Sequence, residues 1–329
     1  MKQPSVLNSV STTYVLFIIL WMAARLLIFD RFWLLALLNT IAEYLFAPLP
    51  ILLLISIWKR NRVALAELCI PLLLFVLLFG HLFWPPASNA ILEDDQVITL
   101  MSFNVLYSNR DYAAIIDSIQ SANPDVVGFQ EMMPTMAASL VEELESDYPY
   151  NTFQLLESEL STAVLSKFPI EIKERFDLPP RDLAVHTVVQ VQGTKVHVIV
   201  VHLSANNFFD YSITEFVTLV KERYGHREEE TMQLKQMIQD LDGPVLLMCD
   251  CNMTDTSEAY ARLDTVLDDS YSEAGWGMGH TLQPVQLSFP VQRIDYVWHT
   301  DEFEALYAHI GQDGGSDHLP IVARFRLTR

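Results

Sequence analysis

Gly314-Gly315-Ser316-Asp317-His318-Leu319-Pro320 runs directly into Ile321-Val322-Ala323-Arg324-Phe325-Arg326-Leu327. The second half alternates apolar and polar residues at its end, which predicts a strand. The first half reads as a loop at that strand's mouth. Gly314 and Gly315 permit unusual backbone angles, and Pro320 biases Leu319 towards extended geometry. The pair Asp317-His318 therefore sits at the entrance to a final strand. An Asp-His dipeptide alone says little, so its meaning depends on whether the chain upstream supplies partners for a carboxylate and an imidazole.

It does so at the ends of other apolar strands. Val97–Leu106 carries Asn104. Asp125–Gln130 runs into Glu131. Lys195–Leu203 carries His202. Pro244–Met248 leads to Asp250 and Asn252, and Ile294–His299 contains Asp295. Strands are also expected at Thr162–Ser166 and Ala184–Val191. Apolar residues at helical spacing predict helices at Tyr112–Gln120 and Met136–Leu144. A polar helical stretch, Ile213–Leu241, is expected to break at Tyr224-Gly225. Many short strands with helices inserted between them predict an α/β (α+β) sandwich.

The residue types converge on one chemistry. Carboxylate and amide oxygens are hard ligands that suit Mg²⁺ or Mn²⁺ better than zinc or copper. Together with histidines, and without a glycine-rich phosphate loop, they point to metal-assisted hydrolysis of a phosphate ester. In such a site an Asp orients or deprotonates water. A charged His stabilises the phosphoryl oxygens, and a second carboxylate keeps that His charged.

The N-terminal quarter is a different kind of protein. Thr13–Phe29, Phe32–Trp58 and Val63–Trp84 are nearly unbroken apolar runs, each long enough to cross a bilayer, which takes roughly 20 residues. As buried core helices they would need a large helical domain for which the sequence has no room. Three transmembrane helices are expected in residues 1–84, a linker at 85–95 (Pro85-Pro86-Ala87-Ser88-Asn89 at its start), and a soluble domain over 96–329. Lys59, Arg60 and Arg62 fill the short loop between the second and third runs, which places that loop in the cytoplasm and the later domain outside. Arg25 and Arg31 argue weakly the other way. The expected setting is a bacterial inner or plasma membrane, with the catalytic domain extracytoplasmic.

Charge separates the two parts. Of 21 Lys/Arg and 41 Asp/Glu, residues 1–90 hold six and three, leaving 15 and 38 in residues 91–329, a formal −23. Affinity for nucleic acid comes mainly from cationic contacts to phosphates, so this balance favours a small or lipid-linked phosphoester over DNA or RNA. Cys249 and Cys251 flank Asp250, too close along a strand to bridge comfortably, so no disulfide framework is inferred.

The ordered motifs resemble the endonuclease/exonuclease/phosphatase superfamily. They are Ser102-Phe103-Asn104-Val105, Phe129-Gln130-Glu131, Ser161–Ile170, Val201-His202-Leu203, Asp250-Cys251-Asn252, Arg293-Ile294-Asp295-Tyr296 and Ser316-Asp317-His318. The resemblance implies a four-layer α/β/β/α sandwich of the DNase I type with a Mg²⁺-dependent hydrolytic site. It implies Glu131 as the metal ligand, helped by Asn104 and Asp317. Asp250 would activate water, Asn252 and His202 would contact the phosphate, and His318 would be the charged histidine held by Asp295. The cysteines beside Asp250 depart from the family pattern, where Gly and Phe are usual. Asn206, Asn207 and Tyr211, in a segment that varies between members, are candidate substrate contacts. The competing readings are a nuclease and, from another class, a membrane-anchored binding module that keeps the fold without the chemistry.

Overall fold

The computed structural model describes residues 5–84, 95–156, 161–179, 182–205, 213–284 and 286–328. Helices are α1 (Val6–Ile28), α2 (Trp33–Thr40), α3 (Pro48–Trp58), α4 (Arg62–Phe79), α5 (Tyr112–Ala122), α6 (Pro134–Leu144), α7 (Ile213–Asp240), α8 (Glu258–Leu263) and α9 (Ser270–Ala274). Strands are β1 (Val97–Asn104), β2 (Val126–Met132), β3 (Tyr150–Asn151), β4 (Ser161–Ser166), β5 (Ile170–Leu178), β6 (Asp182–Val191), β7 (Thr194–His202), β8 (Val245–Asp250), β9 (Asp268–Asp269), β10 (Asp295–His299), β11 (Phe303–Ile310) and β12 (Ile321–Leu327). The linker expected at 85–95 lies outside the described residues except for Asp95.

The strands form two mixed six-stranded sheets, ordered β11-β12-β1-β2-β4-β3 and β5-β6-β7-β8-β10-β9. Pairs β1–β2 and β7–β8 are parallel. The sheets pack face to face through side chains such as Leu100, Val126 and Val164 from the first and Val198, Leu246 and Val297 from the second. Helices α5 and α6 cover the outer face of the first sheet through Ile115, Ile119 and Leu140. Helices α7 and α8 cover the other through Leu234, Ile238 and Leu263. Burial on both faces explains why the central strands read as continuous apolar runs rather than alternating ones. At Gly128 an added Cβ would lie 2.7 Å from Met248, so β2 and β8 approach closely just below their functional ends.

Four strands escaped the sequence reading, and they are the edge strands of the two sheets: β11 and the two-residue β3 in the first, β5 and the two-residue β9 in the second. Strand β5 (Ile-Glu-Ile-Lys-Glu-Arg-Phe-Asp-Leu) is mostly charged, with Leu178 its one buried residue, and β11 is only partly buried. Charged residues on an edge discourage pairing with other chains, and they also erase the apolar signal. The expected break at Tyr224-Gly225 is absent: α7 runs unbroken through it. A glycine inside a helix costs only about 1 kcal/mol against alanine.

In the N-terminal region α1 and α4 are each long and apolar enough to cross a membrane. The run Phe32–Trp58, expected as one helix, is instead bent by 76° between Trp33–Thr40 and Ala42–Trp58. Pro48 and Pro50 open α3, where a missing N–H is tolerated, and Asn39 and Thr40 carry polar groups into the break. The region thus holds two spanning-length helices, or three if the bent pair is one span.

The bend lies against the sandwich. Thr254 and Thr256 both donate to the Asn39 carbonyl, at 3.4 and 2.5 Å. Gln292 donates to the Thr40 carbonyl at 2.9 Å, and the Glu258 amide donates to Asp30 at 2.6 Å. At the far end of the bundle Asn61, beside the basic loop, is hydrogen-bonded to Asn8.

Candidate active site

Pairing register puts three polar groups in one row across the second sheet. His202 on β7 is aligned with Asp250 on β8, and Asp250 is aligned with Asp295 on β10. The first sheet contributes Asn104 at the end of β1, aligned with Gln130 on β2, and Glu131 beside it. Glu131 has φ +57° and falls in a register shift of the β2–β4 pair between Phe129 and Met132. The shift turns its carboxylate towards the row instead of along the sheet face.

Asn104 joins the two sheets. Its Nδ2 donates to Asp250 Oδ2 at 2.8 Å and to Glu131 Oε1 at 3.3 Å. Its Oδ1 accepts from the Leu106 amide at 3.0 Å, and the Tyr107 amide donates to Glu131 Oε2 at 3.1 Å. Asn104 therefore faces both carboxylates as a donor, with its own oxygen engaged by the backbone.

His318 lies across the cleft. Its Nδ1 donates to Asp295 Oδ2 at 2.9 Å, and its Nε2 is 3.8 Å from Asp250 Oδ2. His202 Nε2 is 3.4 Å from the same Asp250 oxygen. Burial alone would lower the His318 pKa, but the Asp295 and Asp250 carboxylates outweigh it and push it up to about 10. The ring is a cation at neutral pH. Burial, reinforced by the Asp295 charge, raises the Asp250 pKa, with His318, His202 and Asn104 opposing. Asp317 is likewise raised, chiefly by burial and then by facing Glu131, with His318 opposing.

Neighbours hold these groups in place. Ser316 Oγ donates to the Asn104 carbonyl at 2.7 Å and accepts from the His318 amide at 3.1 Å. Thr281 Oγ1 accepts from the Ile294 and Asp295 amides. Asn252, at φ +49°, donates through Nδ2 to the Leu203 carbonyl at 3.0 Å. Buried Glu230 takes both the amide and hydroxyl of Ser204, and buried Arg227 donates to its carbonyl. Ser316 is visible in the sequence as part of its motif. Thr281, Arg227 and Glu230 carry no local signal, because their value comes from contacts across more than ten residues of chain.

Asn104, Glu131, His202, Asp250, Asn252, Asp295, Asp317 and His318 meet in this way at one end of the sandwich. Asn206, Asn207 and Tyr211 lie outside the described residues. The cysteines require a correction: Cys249 and Cys251 form a disulfide across Asp250, with Cα atoms 5.0 Å apart. Both side chains point into the core beneath α7 and α8. The backbone leaves extended geometry as β8 ends, which shortens the i to i+2 distance into the range a disulfide accepts.

A cation fits the surroundings. Glu131, Asp250, Asp295 and Asp317 bring four carboxyl groups to one cleft, against the imidazolium of His318, and all their donors are hard oxygens. Asp250, Asp295 and His318 each place a ligand atom within 4.8 Å of the others and could hold a metal. Within that group the His318 Nδ1–H is already donated to Asp295. Glu131 and Asp317 are less deeply buried than these three.

The sequence profile of the Endonuclease/Exonuclease/phosphatase family matches residues 101–318. Among solved structures, the endonuclease/exonuclease/phosphatase of Beutenbergia cavernae is 21% identical with a TM-score of 0.56, covering 71% of this chain and 72% of its own. A humanised TDP2 of D. rerio is 15% identical with a TM-score of 0.57, covering 70% and 99%. The mannosyl-6-phosphatase Bt3783 of Bacteroides thetaiotaomicron is 17% identical with a TM-score of 0.54, covering 69% and 99%. No curated protein matches the sequence.

Proposed function

The chain belongs to the endonuclease/exonuclease/phosphatase family, and from that premise we propose that it is a membrane-tethered, Mg²⁺- or Mn²⁺-dependent hydrolase of a small or lipid-linked phosphoester. The observation that carries this reading is the single cleft in which Asn104 bridges Glu131 and Asp250 while Asp295 holds a charged His318. A non-catalytic binding module would have no use for a buried imidazolium between two carboxylates, because such a group destabilises the fold unless every partner is present.

Glu131 and Asp317 would hold the cation, with Asn104 fixing Glu131. When bound, the cation withdraws charge from the phosphoryl oxygens. Asp250, made more basic by burial, accepts the proton of the attacking water. His318 donates Nε2–H to a phosphoryl oxygen, and Asp295 keeps the ring charged and oriented. Asn252 and His202 border the same space and contact the phosphate. Asn206, Asn207 and Tyr211 remain candidates for the rest of the substrate. The −23 balance of residues 91–329 argues against a polyanionic substrate.

Helices α1, α3 and α4 anchor residues 1–84 in the bilayer, and residues 96–329 form the catalytic domain. Lys59, Arg60 and Arg62 lie at the opposite end of the bundle from that domain, so the positive-inside tendency puts the catalytic domain outside the cytoplasm.

The test is hydrolysis of plasmid DNA, RNA, phosphoinositides, sphingomyelin and a bis-aryl phosphodiester, with Mg²⁺ and with EDTA. Hydrolysis is expected to vanish with EDTA and in Glu131→Ala and His318→Ala. Turnover that survives chelation rejects the metal mechanism. Rapid plasmid nicking at physiological salt would establish a nuclease instead.

A further inference from the structure

In a domain of such acidity, the eighteen residues from Gly275 to Gln292 contain no Asp, Glu, Lys or Arg. Part of this stretch is a hairpin. Leu282 pairs with Gln292, and the Val291 amide donates to the Leu282 carbonyl at 2.8 Å. Its tip turns at Pro284, whose carbonyl accepts from the Leu287 amide at 2.8 Å. The tip exposes Leu287 (39%) and Phe289 (57%), and Trp276, just before the hairpin, is 67% exposed. Large apolar side chains exposed on a stretch without Asp, Glu, Lys or Arg, whose His280 is taken up by Glu43, mark a site of contact.

The partner is identified by what adjoins the hairpin. Tyr44 donates its hydroxyl to the Val291 carbonyl, and Gln292 donates to the Thr40 carbonyl. The Gly277 amide donates to the Leu82 carbonyl at 2.7 Å. Trp276 packs edge-on to Phe83, with ring centroids 6.4 Å apart. The hairpin and Trp276 are thus fastened to the catalytic-domain end of the apolar helices, beside the exposed Phe83 and Trp84. Aromatic rings at that level of a membrane helix sit among lipid headgroups. Trp276, in contact with Phe83, and the hairpin fastened beside it meet the same environment.

We infer that Trp276, Leu287 and Phe289 insert into the headgroup–acyl boundary of the bilayer, making the hairpin a second membrane contact made by the catalytic domain itself. This rests on the proposed insertion of α1, α3 and α4. The contact reaches the active site directly. The hairpin strand that begins at Leu282 also bridges His318, the Gln283 amide donates to the Asp317 carbonyl at 2.7 Å, and the Leu319 amide donates to the Thr281 carbonyl at 2.8 Å. The rim of the cleft is therefore seated at the lipid surface, where a phosphoester carried on a lipid would meet it without leaving the bilayer.

The test uses the full chain reconstituted in phosphatidylcholine vesicles. In a Cys69→Ser background, an environment-sensitive fluorophore is attached at Phe289→Cys, at Leu287→Cys, or at Glu142→Cys on the exposed face of α6 as the reference. Brominated lipid should quench positions 289 and 287 at least about twofold more than position 142, with blue-shifted emission, for groups lying roughly 5–10 Å into the boundary. Equal quenching at all three positions overturns the inference. Two independent tip positions guard against one label disturbing the hairpin. The readout needs no turnover, so a protein that is quenched as expected but hydrolyses nothing would sink the hydrolase reading and leave the bilayer contact standing.

Discussion

The two sheets contribute unequally to the cleft. The second sheet supplies a sealed half: Asp250 and Asp295 are each 1% exposed, aligned in one row with His202 and fixed by backbone register. The first sheet supplies an open half. Glu131 sits on a register irregularity and Asp317 on a loop, both partly in contact with water. The difference teaches how a single cleft can be rigid for one task and exchangeable for another. A base must hold its place and its altered affinity for protons, which burial provides. A cation must enter and leave, which requires ligands that water can reach.

The largest expected effect comes from breaking the sealed half. Asp250→Asn keeps the shape but turns one of the two oxygens that accept from Asn104 and the Asn252 amide into a donor, and it removes the proposed base, so kcat should fall about 10²–10⁴-fold. The metal requirement should stay unchanged, as read by titrating Mg²⁺ against initial rate. A large shift in the Mg²⁺ midpoint would mean that Asp250 belongs to the cation, and the division between the halves would collapse.

Removing the link between the halves should cost less. In Asn104→Ala the donor shared by Asp250 and Glu131 is lost. A fall of about 10–100-fold is expected, the range for residues that orient ligands from behind, with both kcat and the Mg²⁺ midpoint affected. A change in only one of the two would show that the halves are held independently.

The smallest effect concerns stability at the outer part of the second sheet. His186 on β6 stacks on His197 with ring centroids 5.1 Å apart. Burial, and then the proximity of His197, lowers its pKa below the usual 6.5. The folded state therefore binds fewer protons than the unfolded state just below that pH. Stability is full above about 6.5 and declines as pH falls through the window beneath it. Thermal melts between pH 8 and 5 should show a small downward shift in Tm that His186→Phe reduces. An unchanged pH slope in that variant would place the sensitive group elsewhere.

Much of the cleft was legible because its residues lie where apolar strands end, and such ends are easy to see. Asn104, Glu131, His202 and Asp250 follow or close a run of apolar residues, and Asp295 opens one. Nothing local reveals that Asn104 reaches across to the other sheet, since its partner is 146 residues away. Strand β5 was hidden by the charges that suit an edge, and β11, with Glu304 as its one Asp, Glu, Lys or Arg, by the lack of any clean alternation. The break in Phe32–Trp58 was hidden by apolarity, which measures whether a segment can enter a membrane and not whether it is straight. Asp30, Asn39 and Thr40 look misplaced beside apolar runs until their side-chain partners are seen: Asp30 accepts from the Glu258 amide and from Asn39, Asn39 accepts from Trp21, and the Thr40 hydroxyl meets that of Tyr224 on α7. The Cys249–Cys251 bond depends on a local departure from extended backbone that strand spacing does not foresee.

The bond from Asn104 to Asp250 has one further consequence. Each sheet is held internally by its own ladder, whereas the cleft is assembled from both, so its geometry works as a vernier between them. A slide of one sheet by an ångström would leave every ladder intact and every strand in place, yet carry Asp250 away from Glu131. Chemistry in this fold is thus a finer gauge of how the two sheets are aligned than any measure of how much strand remains.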